Sequence, residues 1–297
     1  MNRRRFLRAF SLASTAAAAF AAVPSRTLLA LQADNSYRRN IGIQLYTLRK
    51  EIGADTAGTI KAVVDAGYKQ GEMYGFPNCD AMVSAAKDLG LALHSSHFDW
   101  ACVTKPSDDD LSDFRKILDK AKEVGLSHLV VPYLHDHERG GADAYRKLAE
   151  NFNKAAAISK EAGIQLSYHN HSFEFQTKGD EPSGFQVFID EFSPDMQFEV
   201  DVFWIKAAGI EPVDMIKKLI GRISQLHLKD LKGGMTLPIY NGMPKDGFEE
   251  LGDGIIPMEP IIVVGRAAGV ARCHVEQDQS SDALASIRQS FNYLKTL

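Results

Sequence analysis

Eight times along this chain a short apolar run is followed by a longer segment with helical spacing, and no other feature constrains the fold as much. The runs IGIQLYTL (41–48), KQGEMYG (69–75), LALHSSHF (91–98), HLVVPYL (128–134), QLSYHNH (165–171), QFEVDVFW (197–204), SQLHLKD (224–230) and ARCHVEQD (271–278) read as strands. Amphipathic stretches such as DLSDFRKILDKAKEVGL lie between them. The phrases DAGYK, DLGLA, EVGLS, EAGIQ and AAGVA end helices in glycine just ahead of a strand. Eight strand–helix units are the count of an α/β fold of the closed (β/α)8 TIM-barrel type. A doubly wound open sheet would carry a glycine-rich phosphate turn after its first strand, and Gln44-Leu45-Tyr46-Thr47 is not one. No linker or low-complexity tract interrupts the pattern from about residue 38, so residues 38–297 are expected to form one barrel domain.

The rest of the composition mainly excludes. The 297 residues are 45% hydrophobic and 24% charged, which is ordinary for a globular protein, and the formal net charge of −4 does not suggest a nucleic-acid partner. Cys79, Cys102 and Cys273 are too few and too scattered for a disulfide framework or a CxxC zinc site, and Cys273 is expected to be a small buried hydrophobe. The N-terminus reads as an address. Arg3-Arg4-Arg5-Phe6-Leu7-Arg8 precedes a small-residue apolar stretch from Ala9 to Val23, a pattern that resembles a bacterial twin-arginine signal. A cleaved signal over residues 1–33, export through the twin-arginine machinery and a periplasmic location are therefore expected, with no permanent membrane span.

Chemistry-bearing side chains recur near the C-terminal ends of the later strands: His169 and His171 in YHNHSFEF, Asp201 in FEVDVFW, His227 in LHLKD and Glu276 in HVEQD. A closed parallel barrel brings all strand C-termini to one rim. Imidazole nitrogens and carboxylate oxygens meeting there make a site for a divalent metal. Side chains alternate across a strand, so Glu199 shares a face with Asp201, Lys229 with His227 and His274 with Glu276.

The phrases IGIQLYTLR, YHNHSFEF, FEVDVFW, LHLKD and HVEQD together resemble the xylose isomerase-like sugar isomerase/epimerase family of TIM barrels, from about Ile41 to Leu297. The resemblance implies one divalent ion, often Mn²⁺, with Mg²⁺, Co²⁺ or Zn²⁺ compatible. Relatives hold it through a Glu on strand five, an Asp on strand six, a His on strand seven and a Glu on strand eight. Asp201, His227 and Glu276 match the last three. Where relatives often read Glu-Asn-His, this chain reads His169-Asn170-His171, so His169 stands at the position of a ligand that is also one of two catalytic bases in the epimerases. Glu276 is left as the family-type carboxylate base.

Further rim candidates are Glu72 as base, substrate ligand or salt-bridged rim residue, and His97 as hydroxyl contact, proton carrier or capped core group. Lys229 can stabilise an oxyanion or snorkel to the rim. His171, Trp204 and Phe203 are expected at a sugar pocket or in the core, and Glu174 at the pocket or supporting a histidine. His135 and His137 are expected at the surface or in a lid. The backbone N–H groups of LGDGIIP could serve a phosphate.

The expected reaction is proton abstraction beside a carbonyl, giving isomerisation or epimerisation of a non-phosphorylated sugar or keto-sugar. The alternative is a 3-keto-sugar lyase or hydratase, which needs only one base. A sugar-binding protein without turnover is the reading from another class. A DNA-directed nuclease would need more metal ligands and a basic face. The oligomeric state is left open, a homodimer included.

Overall fold

The computed structural model describes residues 40–297; the expected export signal lies outside the described residues. The barrel strands are β1 (Gly42–Gln44), β2 (Gln70–Phe76), β3 (Ala92–Phe98), β4 (His128–Val131), β5 (Gln165–His169), β6 (Met196–Asp201) and β7 (Ile223–Leu228). After β7 come a short antiparallel pair, β8 (Asp230–Leu231) and β9 (Phe248–Glu249), and then the last barrel strand, β10 (Arg272–Val275). The barrel strands are all parallel and follow chain order, and β10 closes the barrel by pairing Val275 with Ile43 and His274 with Gly42. A Cβ on Gly42 would come within 2.7 Å of the Cys273 carbonyl and the His274 ring, so the closure is built around a residue without a side chain.

Helices run between the strands, and the apolar core lies between helices and barrel wall. There Phe152, Tyr168, Phe188 and Phe192 pack as one aromatic cluster. Cys273 is buried, and none of the three cysteines forms a disulfide. No helix among the described residues is long and apolar enough to cross a membrane.

The strands are shorter than the apolar runs that announce them. IGIQLYTL is extended only to Gln44, whose amide oxygen accepts from the Tyr46 N–H and turns the chain into a 3₁₀ segment at Leu45–Leu48. QFEVDVFW is extended only to Asp201, whose carboxylate Oδ1 accepts from the N–H groups of Phe203 (2.8 Å) and Trp204 (3.3 Å) and starts the helix Val202–Ala207. Polar side chains that satisfy the first free N–H groups of a turn or helix end these strands ahead of the hydrophobic pattern. The β8–β9 excursion has no counterpart in the eight-unit reading, because its strands are too short to show a period.

Asp230 fixes that excursion. Its buried carboxylate accepts from the N–H groups of Leu231 (2.9 Å), Gly252 (3.0 Å), Gly254 (3.2 Å) and Ile256 (2.9 Å). A Cβ on Gly254 would collide with this carboxylate, so the glycine loop is shaped to receive it. Asp230→Ala leaves four backbone donors without their acceptor. It is expected to lower unfolding stability by about 3 kcal/mol in urea denaturation, with Asp230→Asn losing less; equal stability of Asp230→Ala and the native chain would contradict this.

Candidate active site

Four side chains from four adjacent strands meet at the C-terminal mouth. His169 ends β5, Asp201 ends β6, His227 is the penultimate residue of β7 and Glu276 directly follows β10. The register aligns Asp201 with His227 and His227 with His274. One ligand atom from each of His169, Asp201, His227 and Glu276 lies within 4.8 Å of the other three. His227 Nδ1 is 3.1 Å from Glu276 Oε2, and His169 Nε2 is 3.4 Å from Asp201 Oδ2.

These residues fit a divalent ion. Both ring nitrogens of His169 are buried without a hydrogen-bond partner, a costly state for polar atoms unless something else engages them, while the Oδ2 of Asp201 accepts no hydrogen bond and faces the Lys229 ammonium at 3.2 Å. Asp201 uses Oδ1 to cap its helix, which leaves Oδ2 facing the centre. Metal bonds of about 2.1 Å would close the set with little movement. His227 presents Nδ1 to the site while its Nε2 lies 2.7 Å from Glu72 Oε1, the arrangement in which a carboxylate behind a ligating imidazole fixes its orientation. Asn170 ties the ends of β5 and β6 together. Its Nδ2 donates to the Asp201 carbonyl (3.2 Å) and its Oδ1 accepts from the Asp201 N–H (3.0 Å).

A second polar layer lies beneath. Glu72 is fully buried and is the third residue of β2, so it is not on the rim where the sequence suggested it. Gln44 Nε2 (2.7 Å), Gln225 Nε2 (2.9 Å) and Ser95 Oγ all donate to it. With its oxygens engaged this way, Glu72 supports His227 and is no base for a substrate. Glu199 is its partner, bonded by Gln225 Nε2 (2.7 Å) and lying 3.0 Å from His97 Nε2. Burial raises both carboxyls, but His97 and His227 outweigh it and hold both below the usual range. Conversely, burial opposes a charged His97, yet Glu72 and Glu199 push that ring up to about 9, so it is a cation at neutral pH. His227 is raised well above its usual value by Glu199 and Glu276, again against burial. Burial lowers His274.

Above the four-residue centre opens a cavity of about 820 Å³. His97, His169, His171, Trp204, Lys229 and Glu276 line it, and Tyr46, Tyr74, Trp100, Tyr133 and Phe248 supply aromatic wall. The His171 ring lies 4.9 Å from Trp204, and burial keeps it neutral. Phe203 lies outside the cavity, fully buried and stacked on Phe248 at 4.6 Å. His135 and His137 are exposed and stacked on each other. The structure also corrects the substrate role of Glu174. It lies behind β5, bonded by Tyr168 OH (2.6 Å) and the His171 N–H (3.0 Å), because Tyr168 points away from the barrel axis. Glu199 was placed beside Asp201 without a role, and Gln225, Asn170, Gln44 and Ser95 were given none from the sequence. The period of two that places Glu199 with Asp201 also places Gln225 with His227, but nothing marks a glutamine as functional before its partners are known.

The fold and this centre define an enzyme of the xylose isomerase type. The model of the xylose isomerase-like TIM barrel family matches residues 50–297, and the chain belongs to that family. The chain is 25% identical over 221 residues to the inosose dehydratase of Clostridium perfringens, covering 67% of this chain and 74% of that protein. A sugar phosphate isomerase/epimerase from Parabacteroides distasonis superposes with a TM-score of 0.69 at 24% identity, covering 87% of this chain and 98% of that one. The IOLI protein, solved with a binding zinc atom, superposes with a TM-score of 0.65 at 12% identity, covering 86% and 96%. Named relatives of this kind are enzymes of isomerase, epimerase and lyase type.

Burial pushes the Glu174 carboxyl up to about 7, against the bonds from Tyr168 and the backbone. A carboxyl raised on folding favours the folded state most when protonated. Its contribution is therefore full below the unfolded value and falls as pH rises toward about 7. The stability of Glu174→Gln relative to the native chain is expected to improve between about pH 5 and about pH 8 in urea denaturation. A pH-independent difference would contradict this.

Proposed function

We propose that this chain is a divalent-metal-dependent enzyme that abstracts a proton beside the carbonyl of a non-phosphorylated keto-sugar and eliminates the β-hydroxyl, a lyase or dehydratase reaction. The carrying observation is the single carboxylate, Glu276, that both belongs to the four-residue centre and faces the cavity, with the His97 cation facing the same space. A divalent ion at His169, Asp201, His227 and Glu276 would supply Lewis-acid polarisation of the carbonyl. Glu276 takes the C–H proton. His97, held as a cation by Glu199 and Glu72, returns a proton to the departing hydroxyl, which leaves as water while the carbon–carbon double bond forms. Lys229 and His171 orient the oxygens, and Trp204 offers a flat face to the C–H side of the ring.

Two-base epimerisation needs a second carboxylate, and His169 stands where it would be. Isomerisation remains the second reading, because one base can return the proton to the neighbouring carbon. The similarity to an inosose dehydratase supports elimination. The non-phosphorylated substrate is supported by the glycine loop, whose N–H groups are taken by Asp230.

Reaction of the chain with candidate keto-sugars in deuterated water is expected to yield an unsaturated product, and Glu276→Gln to lose roughly a thousandfold in rate. Asp201→Ala and His227→Ala are each expected to lose bound metal. Unchanged metal content in both would overturn the reading, and a saturated product carrying deuterium would move it to isomerase. We also infer twin-arginine export to the periplasm from Arg3–Arg8. Arg3→Lys with Arg4→Lys is expected to retain the full-length chain in the cytoplasmic fraction, and normal export of that variant would contradict it.

A further inference from the structure

Lys229 follows His227 by two residues, just past β7, and is almost wholly buried. Its ammonium lies 2.6 Å from Glu276 Oε2 and 3.2 Å from Asp201 Oδ2, the carboxylates of two of the four candidate ligands. A third carboxylate, Asp278 Oδ2, is 3.0 Å away. Asp278 is not among the four candidate ligands, and its backbone carbonyl accepts from Arg49 Nη2 (2.7 Å), a tie to the chain that does not involve Lys229. The faces of Trp204 and Phe203 lie 5.4 and 5.7 Å from the ammonium and tolerate a cation beside them.

We propose that Lys229 is a built-in counter-cation that competes with a divalent ion for Asp201 and Glu276, and that Asp278 is the seat to which its ammonium withdraws when the ion binds. The inference rests on the metal centre proposed above. An ammonium and a dication cannot share two carboxylate oxygens without strong repulsion in a buried site. With His227 neutral as a ligand, three carboxylates beside one ammonium leave two negative charges, which one divalent ion neutralises. Both cations can then stay, provided the ammonium moves to Asp278. The pair Lys229–Asp278 therefore sets metal affinity without either residue ligating the ion.

The test is calorimetric titration of Mn²⁺ into the chelator-treated protein. Lys229→Met is expected to bind Mn²⁺ on the order of tenfold more tightly than the native chain, and Asp278→Asn about tenfold more weakly. The double variant is expected to match Lys229→Met, because Asp278 acts through Lys229. Lys229→Gln repeats the first arm if the methionine variant folds poorly, and Asp278→Asn keeps the lysine altogether. Equal affinity of the native chain and the Lys229 variants would overturn the inference. So would an Asp278→Asn loss that is the same with and without Lys229, since that is a plain charge effect. In both cases Mn²⁺ binding that Asp201→Ala abolishes would leave the metal centre standing. A native chain that binds no Mn²⁺ would end both.

Discussion

Each charge in the barrel mouth is held by its neighbours, and the rest of the site depends on that mutual compensation. Glu72, Glu199, Asp201 and Glu276 are all buried, where a lone carboxylate would take up a proton or disrupt the fold. His97 and Lys229 keep them ionised, and they in turn keep those two groups cationic, while His227 bridges Glu72 and Glu276 through its two ring nitrogens. Removing any one member leaves a buried charge unpaired, so the cluster acts as a unit. Of the upper layer, His169, Lys229 and Glu276 face the cavity. The lower layer, sealed by Gln44, Ser95 and Gln225, holds the His227 imidazole through Glu72.

The same economy appears in the individual residues. Asp201 ends a strand, caps a helix with one oxygen and leaves the other toward the centre. Asn170, between two histidines, uses its amide to lock the two strands that carry His169 and Asp201. Asp230 fills the glycine loop and ties the β8–β9 excursion to the barrel. Backbone hydrogen bonding thus sets the shape of the mouth.

Much of this was legible in the sequence, and the physical reason is periodicity. Eight apolar runs alternating with helical segments specify a barrel, and the barrel rim then brings together His169, Asp201, His227 and Glu276, which are otherwise 107 positions apart at the extremes. Strand ends were not legible, because Gln44 and Asp201 stop their strands through side-chain bonds that a hydrophobic pattern does not record. Depth was not legible either. Glu72 looked like a rim acid and lies one layer down, and Glu174 was expected at the pocket or supporting a histidine and lies behind β5, bonded to the His171 N–H. Two residues of offset along a strand separate a group that meets substrate from one that supports it, and position in a run alone does not resolve that difference.

Anomalous diffraction from crystals of the protein grown with Mn²⁺ tests the central claim most directly. A single strong peak is expected about 2.1 Å from one atom each of His169, Asp201, His227 and Glu276. A peak at Glu72, Glu199 and His274 instead, or none in the barrel mouth, would contradict the account.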